Sequence, residues 1–380
     1  MHVLITGGAG FIGSRLAKFL SNGGNNVVVL DNLSPQVHGN NARFPAELES
    51  HARCVRGDVC DATLMRALLE DCDTVVHLAA ETGTGQSMYA VSHYCHVNVQ
   101  GTATLLDLIV NHRSPRLKKV IVASSRAVYG EGEYLCREHG RVYPPWRTAE
   151  NMSAGKFEPI CPACGQAVEM VPTHEDAPLS PSSFYGLTKQ VQEQMVLMFC
   201  SALGLDGFAM RFQNVYGPGQ SLSNPYTGIL AIFSNLVRQG RGINIFEDGR
   251  ESRDFVYIDD VVSATAGCVN PDVHGVMALN VGSGVKTDVL TVAGEIKRHF
   301  NADVSVTVTG DYRIGDIRHN VANISRMKKL TGFSPAWSFS RGLAQFLTWA
   351  EGFSPADAGF DRSLQEMKER GLLKVARTEP

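Results

Sequence analysis

Three polar residues of this sequence could together remove a proton from a hydroxyl group: Ser125, Tyr185 and Lys189. Tyr185 and Lys189 are four residues apart, so on a helix both side chains project from one face. A phenol with an ordinary pKa near 10 is a poor base at neutral pH, but a neighbouring ammonium group favours the phenolate. We therefore expect Tyr185 to act as the base and Ser125 to hydrogen-bond the reacting oxygen. Taken alone, a tyrosine and a lysine at helical spacing are more typical of surface or packing residues than of a catalytic pair.

A glycine-rich segment, Thr6-Gly7-Gly8-Ala9-Gly10-Phe11-Ile12-Gly13, follows an apolar strand and opens a helix. Such glycines allow a tight turn and a close approach of the backbone to a pyrophosphate at the helix N-terminus. Asp31 closes the next strand 18 residues after Gly13; its carboxylate suits ribose hydroxyls and repels a 2′-phosphate, which no arginine between 31 and 36 could bind. The expected cofactor is NAD rather than NADP, held here by Gly7, Gly10, Phe11, Ile12, Gly13, Asp31 and Asn32. A plain turn remains the alternative.

Cysteine and histidine are spaced like metal ligands in one segment, Cys136-x-x-His139 and Cys161-x-x-Cys164, with 21 residues between the pairs. Two short ligand pairs on two turns are what a tetrahedral structural zinc requires, and a segment with so little apolar periodicity needs a cross-link to be ordered. A disulfide, or four unconnected loop residues, would give the same sequence. No open coordination site is evident, so a metal here would be structural.

Short β-branched runs alternate with amphipathic stretches up to residue 125. We predict strands at 2–6, 27–31, 53–56, 74–78 and 119–124 and crossover helices at 11–22, 61–70 and 97–112. This alternation is typical of a parallel sheet covered by helices on both faces. The predicted fold class is α/β, a Rossmann-type doubly wound parallel sheet with a smaller C-terminal α/β lobe.

The alternation of predicted strands and helices is interrupted at about 131–181, a segment rich in Pro, Gly, Cys and His. It resumes with a helix near 183–203 and a strand near 207–212. We therefore divide the chain into a cofactor-binding domain, 1–212, that carries the Cys/His insertion, and a lobe, 213–353, with some segments returning to the first domain. Residues 354–380 are expected to form a polar, frayed tail.

Composition excludes several protein classes. The net charge is −3 from 35 basic and 38 acidic residues, which argues against a nucleic-acid partner. The longest apolar runs are far below the roughly 20 residues that span a bilayer, and no signal-peptide pattern is present. Nine cysteines at irregular spacing do not form a disulfide scaffold. We expect a cytosolic protein with no membrane partner.

Taken in order and spacing, these motifs resemble the extended short-chain dehydrogenases/reductases of the nucleotide-sugar epimerase and dehydratase type, from residue 1 to about 350. The resemblance rests on the glycine loop, Asp58-Val59, His77-Leu78-Ala79-Ala80, Asn98, Ser125, Tyr185 to Lys189, 211–218 and 253–260. It implies further cofactor contacts from Asp58, Val59, Leu78, Ala79, Ala80, Asn98, Tyr185 and Lys189. His77 is interpreted as a packed core residue rather than a base.

The same resemblance implies a nucleotide-diphosphate sugar as substrate and assigns Asn214, Arg253 and Arg313 to its diphosphate. Guanidinium groups suit a diphosphate because they donate bidentate hydrogen bonds. Asp316, in Arg313-Ile314-Gly315-Asp316, matches a position that assists nucleoside binding. Each arginine alone would otherwise be interpreted as a surface ion pair.

The residues after Ser125 bear on the reaction. Related dehydratases resemble one another in placing Asp-Glu directly after the serine or threonine, where this chain has Arg126 and Ala127. Elimination of water is thus disfavoured, and a 4-epimerase that oxidises the sugar C4 hydroxyl and returns the hydride to the other face fits better. Arg126 is a candidate substrate-binding residue, or it pairs with an acidic side chain of the insertion.

Residues 81–89 and the insertion also resemble bacterial enzymes that convert dTDP-L-rhamnose to dTDP-6-deoxy-L-talose. UDP-hexose and UDP-uronate substrates stay open, as do a dehydrogenase, reductase or decarboxylase on the same scaffold and a non-catalytic NAD-binding regulator. Helices near 97–112 and 185–202 carry apolar residues beyond one face, as expected for the four-helix homodimer interface of relatives. Full burial within one subunit would give the same pattern.

Overall fold

The central feature of the computed structural model is a seven-stranded sheet in which every neighbouring pair of strands is parallel. The structure describes residues 1–222, 228–355 and 359–374. We number the strands of this sheet in chain order: β1 (His2–Thr6), β2 (Asn26–Asp31), β3 (Arg53–Arg56), β4 (Thr74–His77), β5 (Lys119–Ser125), β6 (Asp206–Phe212) and β7 (Val276–Val281). Their order across the sheet is β3-β2-β1-β4-β5-β6-β7. From β1 the strands follow one another outward to β3 on one side of the sheet, and from β4 they follow one another outward to β7 on the other side. This arrangement confirms the doubly wound fold class.

Burial on both faces explains the apolar composition of these strands. Alternate residues point to opposite faces: Val3 and Ile5 pack into one core, and Leu4 packs into the other. All residues of β4 and β5 are buried. The predicted strands agree with β1–β5 to within one residue at each end.

Helices cover both faces of the sheet and build the later lobe. The α-helices are Phe11–Asn22, Pro35–His38, Ala46–Glu49, Ala62–Leu69, Thr84–Ser87, Val91–Tyr94, Gly101–His112, Ala149–Ser153, Phe184–Leu203, Ile229–Arg238, Ile258–Val269, Val289–His299, Ser325–Thr331, Phe339–Glu351 and Phe360–Glu369. A π-helical turn, Cys95–Gln100, precedes Gly101–His112, and a 3-10 turn, Arg126–Val128, follows β5. The predicted helix at 97–112 is thus two segments. Within the part of the chain that the structure describes, no helix is both long and apolar enough to span a membrane.

Small sheets organise the rest of the chain. The insertion contains an antiparallel sheet of Gly140–Val142, Tyr134–Cys136 and Glu169–Met170. The later lobe contains Asn214–Tyr216, Ser252–Tyr257, Lys286–Asp288 and His319–Asn320 in one sheet, and the pair Ile243–Ile245 and Val306–Val308. One segment after residue 213, β7, lies in the main sheet.

The expectation of a frayed C-terminal tail is wrong for residues 359–374. Phe360–Glu369 is a helix that buries Ser363 and Met367, and Leu373–Lys374 pairs antiparallel with Tyr312–Arg313. The polar composition hides this packing because the buried side chains are few and one helical turn apart. Residues 356–358 and 375–380 of the predicted tail lie outside the described residues.

Candidate active site

The start of helix Phe184–Leu203 carries the tyrosine and the lysine. The Ser183 hydroxyl accepts a hydrogen bond from the Gly186 N–H at 3.1 Å and caps the helix. A Cβ on Gly186 would lie 2.5 Å from the Ala127 carbonyl oxygen. Glycine at this position therefore lets the helix touch the turn that follows β5, which brings Tyr185 and Lys189 to Ser125.

Burial raises the pKa of Tyr185 above its usual value, and the polar Ser125 side chain and the positive charge of Arg126 act in the opposite direction. The Lys189 Nζ lies 6.0 Å from the centre of the Tyr185 ring and donates to the Ala123 carbonyl at 3.0 Å. Burial lowers the pKa of Lys189 to about 7. The structure therefore brings all three predicted catalytic residues together.

A buried ion pair fixes the end of β5 against this helix. Glu193 accepts from the Ser124 hydroxyl at 2.7 Å and from Arg211 at 2.5 and 3.0 Å. Arg211 also donates to the Tyr129 hydroxyl at 2.7 Å. Because these partners come from β5, β6 and the helix, the network holds Ser125 and Tyr185 in a fixed relation.

Tyr185 and Lys189 line one side of a cavity of about 390 Å³ at the carboxyl ends of the strands, which we call the glycine-loop cavity. A Cβ on Gly7, which has a φ of +66°, would lie 2.7 Å from the Ala79 nitrogen, and one on Gly13 would lie 2.5 Å from the Gly8 Cα. Glycine at these two positions therefore lets the loop pack closely against the segment after β4 and against the start of helix Phe11–Asn22. Twelve of the predicted cofactor residues besides Tyr185 and Lys189 line the cavity: Gly7, Gly10, Phe11, Ile12, Gly13, Asp31, Asn32, Asp58, Val59, Leu78, Ala79 and Ala80.

Two carboxylates mark the far end of the glycine-loop cavity. Asp31 accepts from the Ala9 and Leu33 N–H groups at 3.0 and 2.9 Å. Burial would raise the pKa of Asp58, but hydrogen bonds from the Cys60 N–H and the Asn32 amide outweigh it and lower that pKa. Both groups are anionic acceptors, which fits ribose and adenine and disfavours a 2′-phosphate. The residues thus fit NAD.

Asn98 is a predicted cofactor residue that the structure does not bring to the cavity. It is fully buried, its Oδ1 accepts from the Glu81 N–H at 2.8 Å, and its Nδ2 donates to the Glu81 carbonyl and the Thr188 hydroxyl at 3.1 and 2.9 Å. With its amide used in this way, Asn98 holds the loop after β4 rather than a ligand. His77 is similarly internal, between the Thr6 and Thr102 hydroxyls, and burial lowers its pKa to about 3, in agreement with a core role.

A second cavity, of about 260 Å³, begins beside Ser125 and extends into the later lobe; we call it the arginine cavity. It brings together all the remaining predicted substrate residues: Arg126, Asn214, Arg253, Arg313 and Asp316. The Arg253 Nη2 donates to Asp316 at 3.0 Å, and its Nη1 donates to the Ser252 and Arg318 carbonyls. Burial would raise the pKa of Asp316, but the surrounding arginines, Arg253 first, lower it.

Three of these side chains have unused hydrogen-bonding capacity. Among the described residues, Arg126 has no carboxylate within 4 Å, so the expectation that it pairs with an acidic side chain of the insertion is wrong. The Asn214 Oδ1 and the Arg313 Nε are buried without a partner, and the Arg313 guanidinium stacks on Phe246 with 4.7 Å to the ring centre. Buried polar groups normally have partners, so this cavity is suited to an anionic, hydrogen-bonding ligand.

Sequence reasoning missed several lining residues. Gln213, in the glycine-loop cavity, is buried with both amide atoms unpartnered, and Glu251, in the arginine cavity, has its pKa raised by burial to about 7. Gln213 could have been predicted from the sequence, because it is a polar residue directly after the buried strand β6 and next to the predicted substrate residue Asn214. No pattern in the sequence indicates the other lining residues, because only the fold brings them to the arginine cavity: Phe246, Glu251, Met367 and Leu372.

The predicted metal ligands Cys136, His139, Cys161 and Cys164 also meet, away from both cavities, with all four ligand atoms within 4.8 Å of one another.

Comparison with known proteins places the whole arrangement in a family. The model of the NAD dependent epimerase/dehydratase family matches residues 3–157 and 161–282. A dTDP-L-rhamnose 4-epimerase from Burkholderia thailandensis is 40% identical over 350 residues, which cover 91% of this chain and 94% of that protein.

Solved structures share the fold. The chain superposes on a UDP-glucose 4-epimerase from Thermotoga maritima, in complex with UDP-glucose, with a TM-score of 0.74 at 26% identity, covering 93% of this chain and 99% of that one. MoeE5 in complex with UDP-glucuronic acid and NAD gives a TM-score of 0.74 at 28% identity, with the same coverage.

Proposed function

Since the chain belongs to the NAD dependent epimerase/dehydratase family, we propose that it is an NAD-dependent nucleotide-sugar 4-epimerase that interconverts dTDP-L-rhamnose and dTDP-6-deoxy-L-talose. The proposal has three parts: the reaction type, the roles of the residues, and the substrate.

One observation carries the reaction type. No carboxylate follows Ser125: Arg126 and Ala127 stand there and line the arginine cavity. Among the residues that the structure describes, the carboxylates lining that cavity are Asp316, which is hydrogen-bonded to Arg253, and Glu251. Elimination of water needs an acid and a base beside carbons 5 and 6 of the sugar, whereas epimerisation at C4 needs only proton removal and return at the C4 oxygen.

Residues of the chain supply that proton transfer. Bound NAD would supply the hydride acceptor and, in the return step, the hydride donor. Ser125 and Tyr185 line the same cavity, so a sugar hydroxyl placed between them could donate its proton to Tyr185 while Ser125 orients the oxygen. Lys189, next to the phenol, favours its ionised form. When the C4 carbonyl carbon takes up the hydride again, Tyr185 returns the proton to the C4 oxygen.

The arginine cavity would hold the diphosphate. Arg126, Arg253 and Arg313 face it from three separate elements, and the charge of Arg126 interacts with those of Arg253 and Asp316 and with Tyr185. We place Arg126, which directly follows Ser125 in the chain, between the reacting oxygen and the diphosphate. Guanidinium groups in that arrangement fix the distance from the phosphates to C4.

Two observations support the choice of dTDP-L-rhamnose as the substrate. The relative with 40% identity is named dTDP-L-rhamnose 4-epimerase. The arginine cavity also has apolar side chains, Met88, Ile314 and Met367, which suit the C6 methyl group of a 6-deoxy sugar. A UDP-uronate is the second candidate, because a third arginine beside the diphosphate site could bind a sugar carboxylate.

Proton NMR in deuterated water tests the proposal. The purified protein, with no added cofactor, is incubated separately with dTDP-L-rhamnose, UDP-glucose and UDP-glucuronate. The expected result is a C4 epimer from dTDP-L-rhamnose alone, with no deuterium at carbon 4 or 5. Conversion that requires stoichiometric NAD and accumulates NADH would identify a dehydrogenase, and a product only from UDP-glucuronate would move the substrate to the uronates.

We also propose that the chain forms a homodimer through helices Gly101–His112 and Phe184–Leu203. Apolar side chains on these helices are exposed: Val110 by 45%, Leu187 by 44% and Met198 by 60%. A second copy would bury them. Light scattering should give a dimer mass for the protein and a monomer mass for Met198→Glu, while Val285→Glu, at another exposed apolar residue, should stay dimeric. A monomeric wild type would contradict this proposal.

A further inference from the structure

The four cysteine and histidine ligands of the insertion meet with the spacing of a tetrahedral site. Cys136 Sγ lies 3.8 Å from Cys164 Sγ and 3.6 Å from His139 Nδ1, and Cys161 Sγ lies 3.7 Å from His139 Nδ1. Zinc–sulfur and zinc–nitrogen bonds of about 2.3 and 2.0 Å around a tetrahedral ion separate two sulfurs by about 3.8 Å and a sulfur and a nitrogen by about 3.5 Å. The observed separations agree with these values.

A disulfide does not account for the same cluster. Bonded sulfurs are about 2.05 Å apart, and all nine cysteines are free thiols in the structure. Three thiolates and an imidazole are soft and intermediate ligands that favour zinc over magnesium or calcium. Four protein ligands also leave no open position, so the ion would be structural rather than catalytic.

The backbone around the ligands is shaped for metal binding. Cys136 and His139 lie on either side of the turn between strands Tyr134–Cys136 and Gly140–Val142, which pair antiparallel. In the second turn the Gly165 N–H donates to the Cys161 carbonyl at 2.8 Å, and Gly165 has a φ of +71°. Each turn thus presents two ligand atoms to the same point.

The part of the insertion around the ligands has only a small apolar core among the described residues. Its apolar cluster consists of Tyr134, Val142, Val168, Met170 and three of the cysteine ligands themselves. Burying three thiol groups without a metal would contribute little, whereas a structural zinc contributes folding free energy directly. We therefore propose that Cys136, His139, Cys161 and Cys164 bind one zinc ion that folds the insertion.

The insertion in turn reaches the arginine cavity. Glu158, three residues before Cys161, accepts from the buried Arg318 at 2.8 and 2.5 Å and contacts His319 at 3.2 Å. Glu131, five residues before Cys136, accepts from the Arg318 N–H at 2.8 Å. The Arg318 carbonyl accepts from Arg253 at 3.0 Å. The zinc would therefore also fix the position of Arg253, through Glu158 and Arg318. This positioning role is a second part of the proposal, and it rests on the proposed function.

Metal analysis of the purified protein tests the site without using activity. Mass spectrometry of the metal content should give one zinc per chain for the protein and for Cys95→Ser, which removes an exposed cysteine outside the cluster. The double variant Cys161→Ser, Cys164→Ser should lose the zinc. His139→Cys keeps four ligands and should retain it, which separates loss of a ligand from general misfolding.

Cobalt(II) substitution gives a second measurement, since three thiolates around a tetrahedral ion produce intense thiolate-to-metal charge-transfer absorption. That absorption should appear in the protein and in His139→Cys and be absent from the double variant. Protein containing no bound metal after expression in zinc-supplemented medium and giving no cobalt spectrum, or a Cys136–Cys164 disulfide in peptide mapping, would overturn the zinc site.

Chelation tests the positioning step. Removal of the zinc should raise the KM for the nucleotide sugar about tenfold or more while leaving NAD affinity within twofold, because the glycine-loop cavity has no residue from the insertion. If zinc is present but its removal leaves KM unchanged, the site stands and the positioning role fails. Failure of the proposed function would show instead as no turnover with zinc fully bound.

Discussion

Replacing Arg126 by methionine should reduce activity without destabilising the protein. Burial first, and then repulsion from Arg253, lower the pKa of the Arg126 guanidinium from 12.5 to about 10. One pKa unit corresponds to about 1.4 kcal/mol, so the charged side chain is disfavoured by roughly 3 kcal/mol before solvent screening. With no carboxylate partner among the described residues, that cost is not offset in the folded protein. The Tm of Arg126→Met should therefore be unchanged or a few degrees higher.

Arg147 is the matched control because it is a buried arginine with partners. Its Nε donates to Glu131 at 2.9 Å and its Nη1 to Glu247 at 2.8 Å. Arg147→Met would leave the buried Glu131 carboxylate without its ion-pair partner and Glu247 with Arg318 as its remaining partner, and breaking a buried pair costs about 3–5 kcal/mol. Its Tm should fall clearly below that of the wild type in the same scanning-calorimetry series.

The activity of Arg126→Met should fall through lost substrate contacts. A hydrogen bond to a charged group contributes about 1.5–3 kcal/mol, which corresponds to a decrease of about 10- to 150-fold in kcat/KM. Product formation from dTDP-L-rhamnose, followed by chromatography, gives this ratio. A Tm loss as large as that of Arg147→Met, or an unchanged kcat/KM, would refute the interpretation of Arg126 as an unpartnered substrate ligand.

Three further changes separate the parts of the site. Tyr185→Phe should lower kcat by about 10²–10⁴-fold, since it removes the acid–base group. The variant should still contain NAD, which chromatography of the denatured protein would detect. Normal turnover by this variant would exclude the mechanism. Gly13→Ala should lose bound NAD, because the new Cβ would lie 2.5 Å from Gly8 Cα; calorimetric titration showing wild-type NAD affinity would contradict the cofactor assignment. Ending the chain at residue 355 should raise the KM for the sugar nucleotide, since Phe360, Ser363, Met367 and Leu372 line the arginine cavity; an unchanged KM in steady-state kinetics would show that this segment does not contact substrate.

The sequence predicted those parts of the fold that depend on local periodicity. The strands of the main sheet are buried on both faces, so they appear as continuous apolar runs, as in Val27–Leu30 and Val120–Val122. Helix Phe11–Asn22 was predicted with both ends correct. The residues of the site were predicted because they follow these strands or lie one helical turn apart.

What the sequence could not predict depends on contacts between distant segments. The ion pairs of Arg318 join residues about 70 and 160 positions apart, and no local pattern indicates them. Helix Phe360–Glu369 looks like a solvent-exposed tail until its partners in the arginine cavity are known. Asn98 was assigned to the cofactor by motif, whereas its neighbours show that it holds the Glu81 backbone.

The central claim is that the hydride taken from C4 returns to the same sugar. The most direct test uses dTDP-L-rhamnose labelled with deuterium at C4, incubated with the purified protein in ordinary water and analysed by proton NMR and mass spectrometry. The expected product is dTDP-6-deoxy-L-talose that keeps the deuterium at C4. Loss of the deuterium to solvent, or its appearance in released NADH, would contradict it.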